Sequence, residues 1–155
     1  MRLTELLRPE DVVLAFDPED KWTAIEWLVE HLVERGHLAA EARGDVLEAV
    51  LSRERSMSTG MEHGVAIPHA AVEEVGEIVA CMGVVQGEDG LPFESIDGDF
   101  ARLIVLLVIP KAQKLLHIRT LAEAARVLAK ESVRAGLLGA SAPTEAHAIL
   151  VAGEA

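Results

Sequence analysis

Residues 103–109 read Leu-Ile-Val-Leu-Leu-Val-Ile, an apolar run without a polar side chain. A strand with one face in water alternates apolar and polar residues, whereas a strand covered on both faces is apolar throughout. The run is also far shorter than the roughly 20 residues that a helix needs to cross a bilayer. It therefore predicts a central strand with helices packed against both of its faces.

The segments on either side of this run have the spacing of amphipathic helices. The apolar positions are Trp22, Ile25, Val29 and Leu32 in the first segment and Ile118, Leu121, Ala125 and Leu128 in the last. Further helices are predicted over about 41–55, 132–138 and 143–151. Helices, then strands, then helices favour a three-layer α/β domain, with a strand order that the pattern does not determine.

The middle of the chain predicts shorter strands. One is expected over 64–68, closed by Pro68, and another over 77–85. A turn signal at 87–90 precedes residues 91–93, which are expected to begin a return strand. With 155 residues, half of them hydrophobic, we expect one domain over 1–155 with a core of its own.

Charge and cysteine content exclude several classes of function. The formal charge of −12 disfavours nucleic acid and anionic lipid as partners and favours a basic protein surface. A single cysteine, Cys81, lies in an apolar run and is expected to be a buried, inert thiol rather than a nucleophile or zinc ligand. Because no signal peptide is recognised, we expect a cytoplasmic protein without membrane insertion.

The chemistry-bearing segment is 53–69, which begins at Arg53 and ends at His69. Small residues and hydroxyls in its loop offer donors to an anion, and Pro68 fixes the backbone before the histidine. Neutral imidazole is a nucleophile near pH 7, and Arg53 or Arg55 could add a guanidinium for phosphate. Taken alone, however, a lone histidine is more often structural, and Arg53 could simply favour a helix C-terminus.

The same segment resembles the active-site signature of the fructose–mannitol-type enzyme IIA domains of the bacterial phosphotransferase system. The matching elements are Arg53-Glu54, Ser-Thr-Gly at 58–60 and Gly-Val-Ala-Ile-Pro-His at 64–69. Residues 6–10, 21–25, 93–98 and 117–121 resemble further family segments. The resemblance implies a mixed sheet flanked by helices and a phosphocarrier that works without a cofactor or metal.

The resemblance also implies roles for four residues. His69 is the expected phosphoryl acceptor, and His117 is expected to lie beside it. Arg53 is expected to compensate the phosphoryl charge, and Thr59 to donate a hydroxyl. Glu54 is expected to cap the helix or pair with a nearby arginine. On its own, His117 is as well explained as a polar residue at a helix start.

Three positions depart from the family pattern. Glu62 and His63 replace a glycine and an asparagine, and Ala70 replaces the glycine after the histidine. Glu62 is the more serious change, because a carboxylate near a phosphoryl group is repulsive unless it points into water. Ala70 is costly only where the backbone needs a positive φ.

The resemblance implies an HPr-type donor and leaves two branches open. The length of the chain favours the nitrogen-regulatory branch, whose downstream partner would be a transporter or sensor protein. The alternative is a sugar-specific component that feeds a IIB domain. A non-phosphorylated interaction module, suggested by Glu62, and a metal hydrolase using His63, His69 and His117 are weaker alternatives; the latter lacks a recognisable ligand spacing.

Overall fold

A computed structural model describes residues 2–87 and 89–155 of the chain. The helices are α1 (Leu3–Leu6), α2 (Lys21–Glu34), α3 (Arg43–Ser56), α4 (Lys114–Leu128), α5 (Glu131–Gly139) and α6 (Pro143–Gly153). The strands are β1 (Val12–Val13), β2 (Val65–Ala66), β3 (His69–Val72), β4 (Val79–Val84) and β5 (Leu103–Pro110). Short 3₁₀ turns lie at Pro9–Asp11 and Ala40–Ala42.

The strands form one mixed sheet. Its order is β1-β4-β5-β2, and β3 also pairs with β5. β4 and β5 are antiparallel, whereas β1 is parallel to β4 and both β2 and β3 are parallel to β5. The predicted three-layer α/β fold with a mixed sheet is confirmed.

Strand β5 separates two apolar layers. All of its residues are buried, as its composition predicts. Leu103, Val105, Leu107 and Ile109 pack with residues of α4, α5 and α6, whereas the alternate residues pack with α2 and α3. Because successive side chains of a strand point to opposite faces, each helical layer receives every second residue of β5.

Strands β2 and β3 are two parts of one edge strand. Val65 lies opposite Leu103 and His69 lies opposite Leu107, so both parts keep the same register on β5. Pro68 interrupts the ladder because it has no N–H, yet its carbonyl accepts a hydrogen bond of 3.1 Å from the Leu107 amide. The strand predicted to close at Pro68 therefore resumes at His69.

The helices match their predicted positions, with corrections to the faces that they bury. Asp20 caps the N-terminus of α2, since its carboxylate accepts from the Thr23 amide at 2.8 Å, and Trp22 near the start of the helix is 39% exposed. Ile118, predicted to lie on the apolar stripe, is 66% exposed. The buried face of α4 is instead formed by Thr120, Ala124, Val127 and Leu128.

Two details of the middle segment differ from expectation. Leu91 pairs with Ala101 only through an isolated bridge, so residues 91–93 do not form a return strand. The predicted turn at 87–90 includes Glu88, which lies outside the described residues.

Among the described residues, no helix is both long and apolar enough to span a membrane.

Candidate functional site

His69 begins strand β3 and is held by a hydrogen bond within its own chain segment. Its side chain is buried, with 8% exposure, and Nδ1 lies 2.8 Å from the carbonyl oxygen of Ile67. Because a carbonyl oxygen only accepts, Nδ1 must carry the proton of the neutral ring. The lone pair of the neutral imidazole therefore lies on Nε2.

His117 lies beside His69 although the two belong to different layers. His117 is half-buried near the start of α4, and the two ring centroids are 5.2 Å apart with an interplanar angle of 73°. Since His69 is on the edge strand next to β5 and α4 follows β5 in the chain, the fold brings the two histidines together. The structure thus places the two rings side by side, and the role expected of His117 stays a prediction.

The electrostatic environment favours the neutral form of both rings. Burial lowers the pKa of His69, and the charges of Arg53 and His117 lower it further, while the Ile67 carbonyl and Glu54 oppose the change. Burial and the Arg53 charge likewise lower the pKa of His117. Near neutral pH both imidazoles are therefore uncharged.

Arg53 faces the same cavity as His69. It lies in the last turn of α3, where its Nη1 donates to the carbonyl of Met57 at 2.7 Å. The cavity has a volume of about 480 Å³. Its lining comprises Arg53, Met57, Ser58, Thr59, Gly60, Met61, Ile67, His69, Glu94, Ile96 and Leu121.

Thr59 lines this cavity but gives its hydroxyl hydrogen to Glu54. The Thr59 Oγ1 is 2.5 Å from one Glu54 oxygen, and the Thr59 amide is 2.9 Å from the other. The expected role of Thr59 as a phosphoryl donor stays a prediction, and it requires the hydroxyl to turn away from Glu54. While its hydrogen is donated to Glu54, the Thr59 hydroxyl can only accept a hydrogen bond from a group in the cavity.

Glu54 is the functional residue whose partner the sequence did not predict. It is 2% exposed and pairs with Lys21 Nζ at 3.2 Å, not with a nearby arginine. Its burial could have been predicted, because Glu54 follows Val46 and Val50 at intervals of four on α3. Its pairing with a residue of another helix could not.

Glu94 is a second acidic residue that the sequence did not single out. It lines the cavity of His69, has a φ of 53°, and its carboxylate is 3.9 Å from Lys21 Nζ. Glu62, by contrast, is exposed, lines a different cavity and lies 3.8 Å from His63 Nε2. The carboxylate expected to repel a phosphoryl group is therefore exposed and does not line the cavity of His69.

The other two departures fit the local backbone. His63 has a φ of 62°, in the left-handed region that asparagine and histidine enter more readily than most residues. Ala70 lies within β3, and it is not among the described residues with positive φ. A glycine is thus not required after His69.

Among the described residues, no group of three His, Cys, Asp or Glu side chains is placed to hold a metal ion. His63 is exposed and bonds through its backbone to Asp97, away from the pair formed by His69 and His117. Cys81 is fully buried, and burial raises the pKa of its thiol well above the usual value. Neither residue is part of the site.

The chain matches known proteins along most of its length. Residues 5–152 match the family model described as the phosphoenolpyruvate-dependent sugar phosphotransferase system, EIIA 2. The chain is 32% identical over 140 residues to the fructose-specific EIIABC component of Bacillus subtilis, covering 90% of this chain but 21% of that protein. It is 30% identical over 151 residues to a nitrogen regulatory protein of Klebsiella oxytoca, covering 97% and 90%.

A solved structure of a relative has the same fold. The nitrogen regulatory protein IIA-Ntr of Neisseria meningitidis superposes with a TM-score of 0.82 at 27% identity, covering 96% of this chain and 98% of that one. The fold and the family match together define a domain of the phosphotransferase system with a mixed, helix-covered sheet. The chain belongs to the type 2 EIIA family of the phosphotransferase system.

Proposed function

We propose that this chain is a phosphocarrier that accepts a phosphoryl group on Nε2 of His69 from a histidine-phosphorylated, HPr-type protein. The hydrogen bond from Nδ1 to the Ile67 carbonyl, 2.8 Å long, carries the proposal. It leaves Nε2 as the nitrogen with a free lone pair in a ring whose pKa is lowered by burial. Membership of the type 2 EIIA family supports the same role.

The transfer needs few groups. A bond forms between Nε2 of His69 and phosphorus as the donor's nitrogen–phosphorus bond breaks, and the donor imidazole retains the electron pair. Nε2 has no proton to lose, so no general base is required. Positioning and charge stabilisation then account for the catalysis, with Arg53 as the cation and His117 as the ring that lines up beside the acceptor.

The surroundings of the cavity fit a protein donor. Met57 and Ile96 line it and are 68% and 75% exposed, and exposed apolar side chains are typical of a surface that a partner covers. The charge of −12 suits a basic partner surface. Since phosphoenolpyruvate is an intracellular metabolite, the proposal places the chain in the cytoplasm.

The test is intact mass after incubation with phosphoenolpyruvate, enzyme I and an HPr-type protein. We expect one added phosphoryl group that is lost in acid, and none on His69→Ala. His31→Ala, at a histidine whose Nε2 lies 3.0 Å from the Glu10 carbonyl, is the matched control and should be phosphorylated like the wild type. An unmodified wild type with an active relay would instead favour an interaction module that is never phosphorylated.

The downstream step is a separate question. The relatives of the chain include a fructose-specific EIIABC component and a nitrogen regulatory protein, so family membership alone fits either role. We propose the regulatory role, with a transporter or sensor protein as partner. Transfer from the phosphorylated chain to a IIB domain at a rate similar to its loading would favour the sugar-specific role instead.

A further inference from the structure

Lys21 is a buried cation next to the phosphoryl site. It is 7% exposed at the first position of α2, and its Nζ is 3.2 Å from the Glu54 carboxylate. The ammonium also lies 4.8 Å from the centre of the Trp22 ring and 5.7 Å from that of Phe93. Nothing in the proposed transfer step uses this lysine.

Burying two opposite charges seldom stabilises a protein more than an apolar pair of the same size would. A buried pair that is nevertheless present therefore raises the question of what Glu54 does. Glu54 accepts hydrogen bonds from both the amide and the hydroxyl of Thr59, at 2.9 and 2.5 Å, and so fixes Thr59 on the cavity wall. Both bonds need an acceptor with two free oxygens, which an ionised carboxylate supplies.

An ionised Glu54 has a disadvantage at this place. Its charge acts on the His69 imidazole, whose pKa it raises against the larger effect of burial. The same negative charge would repel a phosphoryl group arriving at Nε2. Lys21 offsets that charge, since its Nζ donates to the Glu54 carboxylate at 3.2 Å.

We propose that Lys21 is a positioning residue of the phosphoryl site, which holds the Glu54 carboxylate against Thr59 while offsetting its repulsion of the incoming phosphoryl group. The inference rests on the proposed function. The charged and titratable groups that surround the acceptor are then Arg53 and Glu54 from α3, His117 from α4, Lys21 from α2 and Glu94 from the loop before β5. Only Lys21 and Arg53 are permanent cations among them.

The test replaces Lys21 by methionine, which fills similar space without charge. We expect Lys21→Met to accept phosphoryl groups about tenfold more slowly, as for the loss of a nearby charge. The titration midpoint of His69, followed by NMR, should rise because Glu54 is no longer offset. The double variant Lys21→Met with Glu54→Gln should return the midpoint to or below that of the wild type. Its rate should recover only in part, because glutamine offers Thr59 one acceptor oxygen instead of two.

Two further variants keep the test decisive. Lys111→Met removes one exposed lysine that lines another cavity and should leave both readouts unchanged. Lys21→Gln retains a hydrogen-bond donor toward Glu54 and serves if the methionine variant does not fold. Both readouts are taken below the melting temperature of each variant, so that only folded protein is compared.

An unchanged His69 midpoint in folded Lys21→Met or Lys21→Gln would overturn the inference, as would a midpoint that stays raised in the double variant. These outcomes differ from failure of the proposed function. In that case the wild type itself would not be phosphorylated, whereas here the wild type is loaded and only the Lys21 variants are compared with it.

Discussion

His69 differs from the other histidines of the chain in its burial. Of the six histidines, all of which lie in the described part of the chain, His69 alone is buried. His37, which is partly exposed, instead places its Nε2 2.7 Å from the buried carboxylate of Asp11. Burial together with a backbone acceptor for Nδ1 is what turns an ordinary imidazole into a neutral nucleophile with a defined reactive nitrogen.

Arg53→Ala should affect both histidines of the pair. The arginine charge lowers the pKa of His69 and of His117, so its removal should raise both NMR titration midpoints. Loss of a cation aimed at the phosphoryl oxygens should also slow phosphoryl acceptance by about 10- to 100-fold. Arg55→Ala is the matched control, because Arg55 is two residues away on α3, exposed, and paired with Glu48 at 3.2 Å. Equal behaviour of the two variants would remove the role assigned to Arg53.

The lowered pKa of His69 also makes stability depend on pH. The unfolded chain binds a proton at His69 near pH 6.5, whereas the folded chain binds it only at lower pH. The free energy of unfolding should therefore fall as the pH decreases from about 6.5 toward the folded pKa. Urea unfolding at pH 7.0 and about 5.5 should show a smaller loss for His69→Ala than for the wild type. A loss of the same size in both proteins would mean that His69 does not titrate differently on folding.

At the scale of elements, the cavity is built where two loops meet. Gly60 follows Thr59, and a methyl group on its Cα would lie 2.8 Å from both the Phe93 carbonyl and the Ser95 hydroxyl. Ser58 donates its hydroxyl to the same carbonyl of Phe93. The loop after α3 thus packs directly on the loop that carries Glu94, and the glycine permits the approach.

Gly60→Ala should separate these loops. We expect the free energy of unfolding to fall by about 1–3 kcal/mol, as for overpacking against backbone, and phosphoryl acceptance to fall with it. Gly44→Ala on α3 is the control: nothing lies within 4 Å of its added methyl group, so the change should stabilise by about 0.4–1 kcal/mol. Urea unfolding of both variants measures the difference. Gly60→Ala with wild-type stability and loading would show that the loops do not need this contact.

The elements that the sequence predicts well are those with a local cause. The composition of β5 predicts a buried strand, and the periodicity of α2 predicts a helix, which Asp20 caps at its N-terminus. β3 is not predicted from its own residues, because residues 69–72 form a strand only through their register on β5. They also follow a proline, which normally ends a strand. The prediction that Ile118 lies on the buried face was wrong. α4 begins at Lys114, and other residues form its buried face.

The same distinction holds for the candidate site. His69, Arg53 and Thr59 belong to one contiguous segment, so a sequence pattern can contain them all. His117 was placed beside His69 by resemblance, which carries information on packing that spacing lacks. Lys21 and Glu54 are 33 positions apart on two helices, and no local pattern predicts that they meet. A residue that acts through another across the core becomes visible only in three dimensions.

At the scale of the whole molecule, the site lies at one edge of the sheet, where both helical layers contribute. α3 belongs to the layer that packs with Ile104, Leu106 and Val108, whereas α4 belongs to the layer on the opposite face. The edge strand bearing His69 lies between the two layers. Arg53 and His117 therefore approach His69 from different sides of the sheet.

The overall charge should set how fast that partner arrives. At −12, the field of the chain attracts a basic donor surface over distances comparable with the Debye length, which falls from about 30 Å at 0.01 M salt to about 10 Å at 0.1 M. We expect the second-order rate constant for loading to decrease by about tenfold over this range. The maximal rate at saturating donor should change little, because transfer occurs between groups already in contact.

Rapid-quench measurements at several donor concentrations separate these two quantities. Replacing sodium chloride by potassium chloride at equal ionic strength controls for an effect of one particular ion. A second-order constant that is independent of salt would mean that the acidity of the chain does not guide the encounter, leaving it only a role in keeping copies of the chain apart. A salt-dependent maximal rate would instead mean that the charges acting in the transfer step, Arg53 foremost, are screened by salt even when the donor is bound.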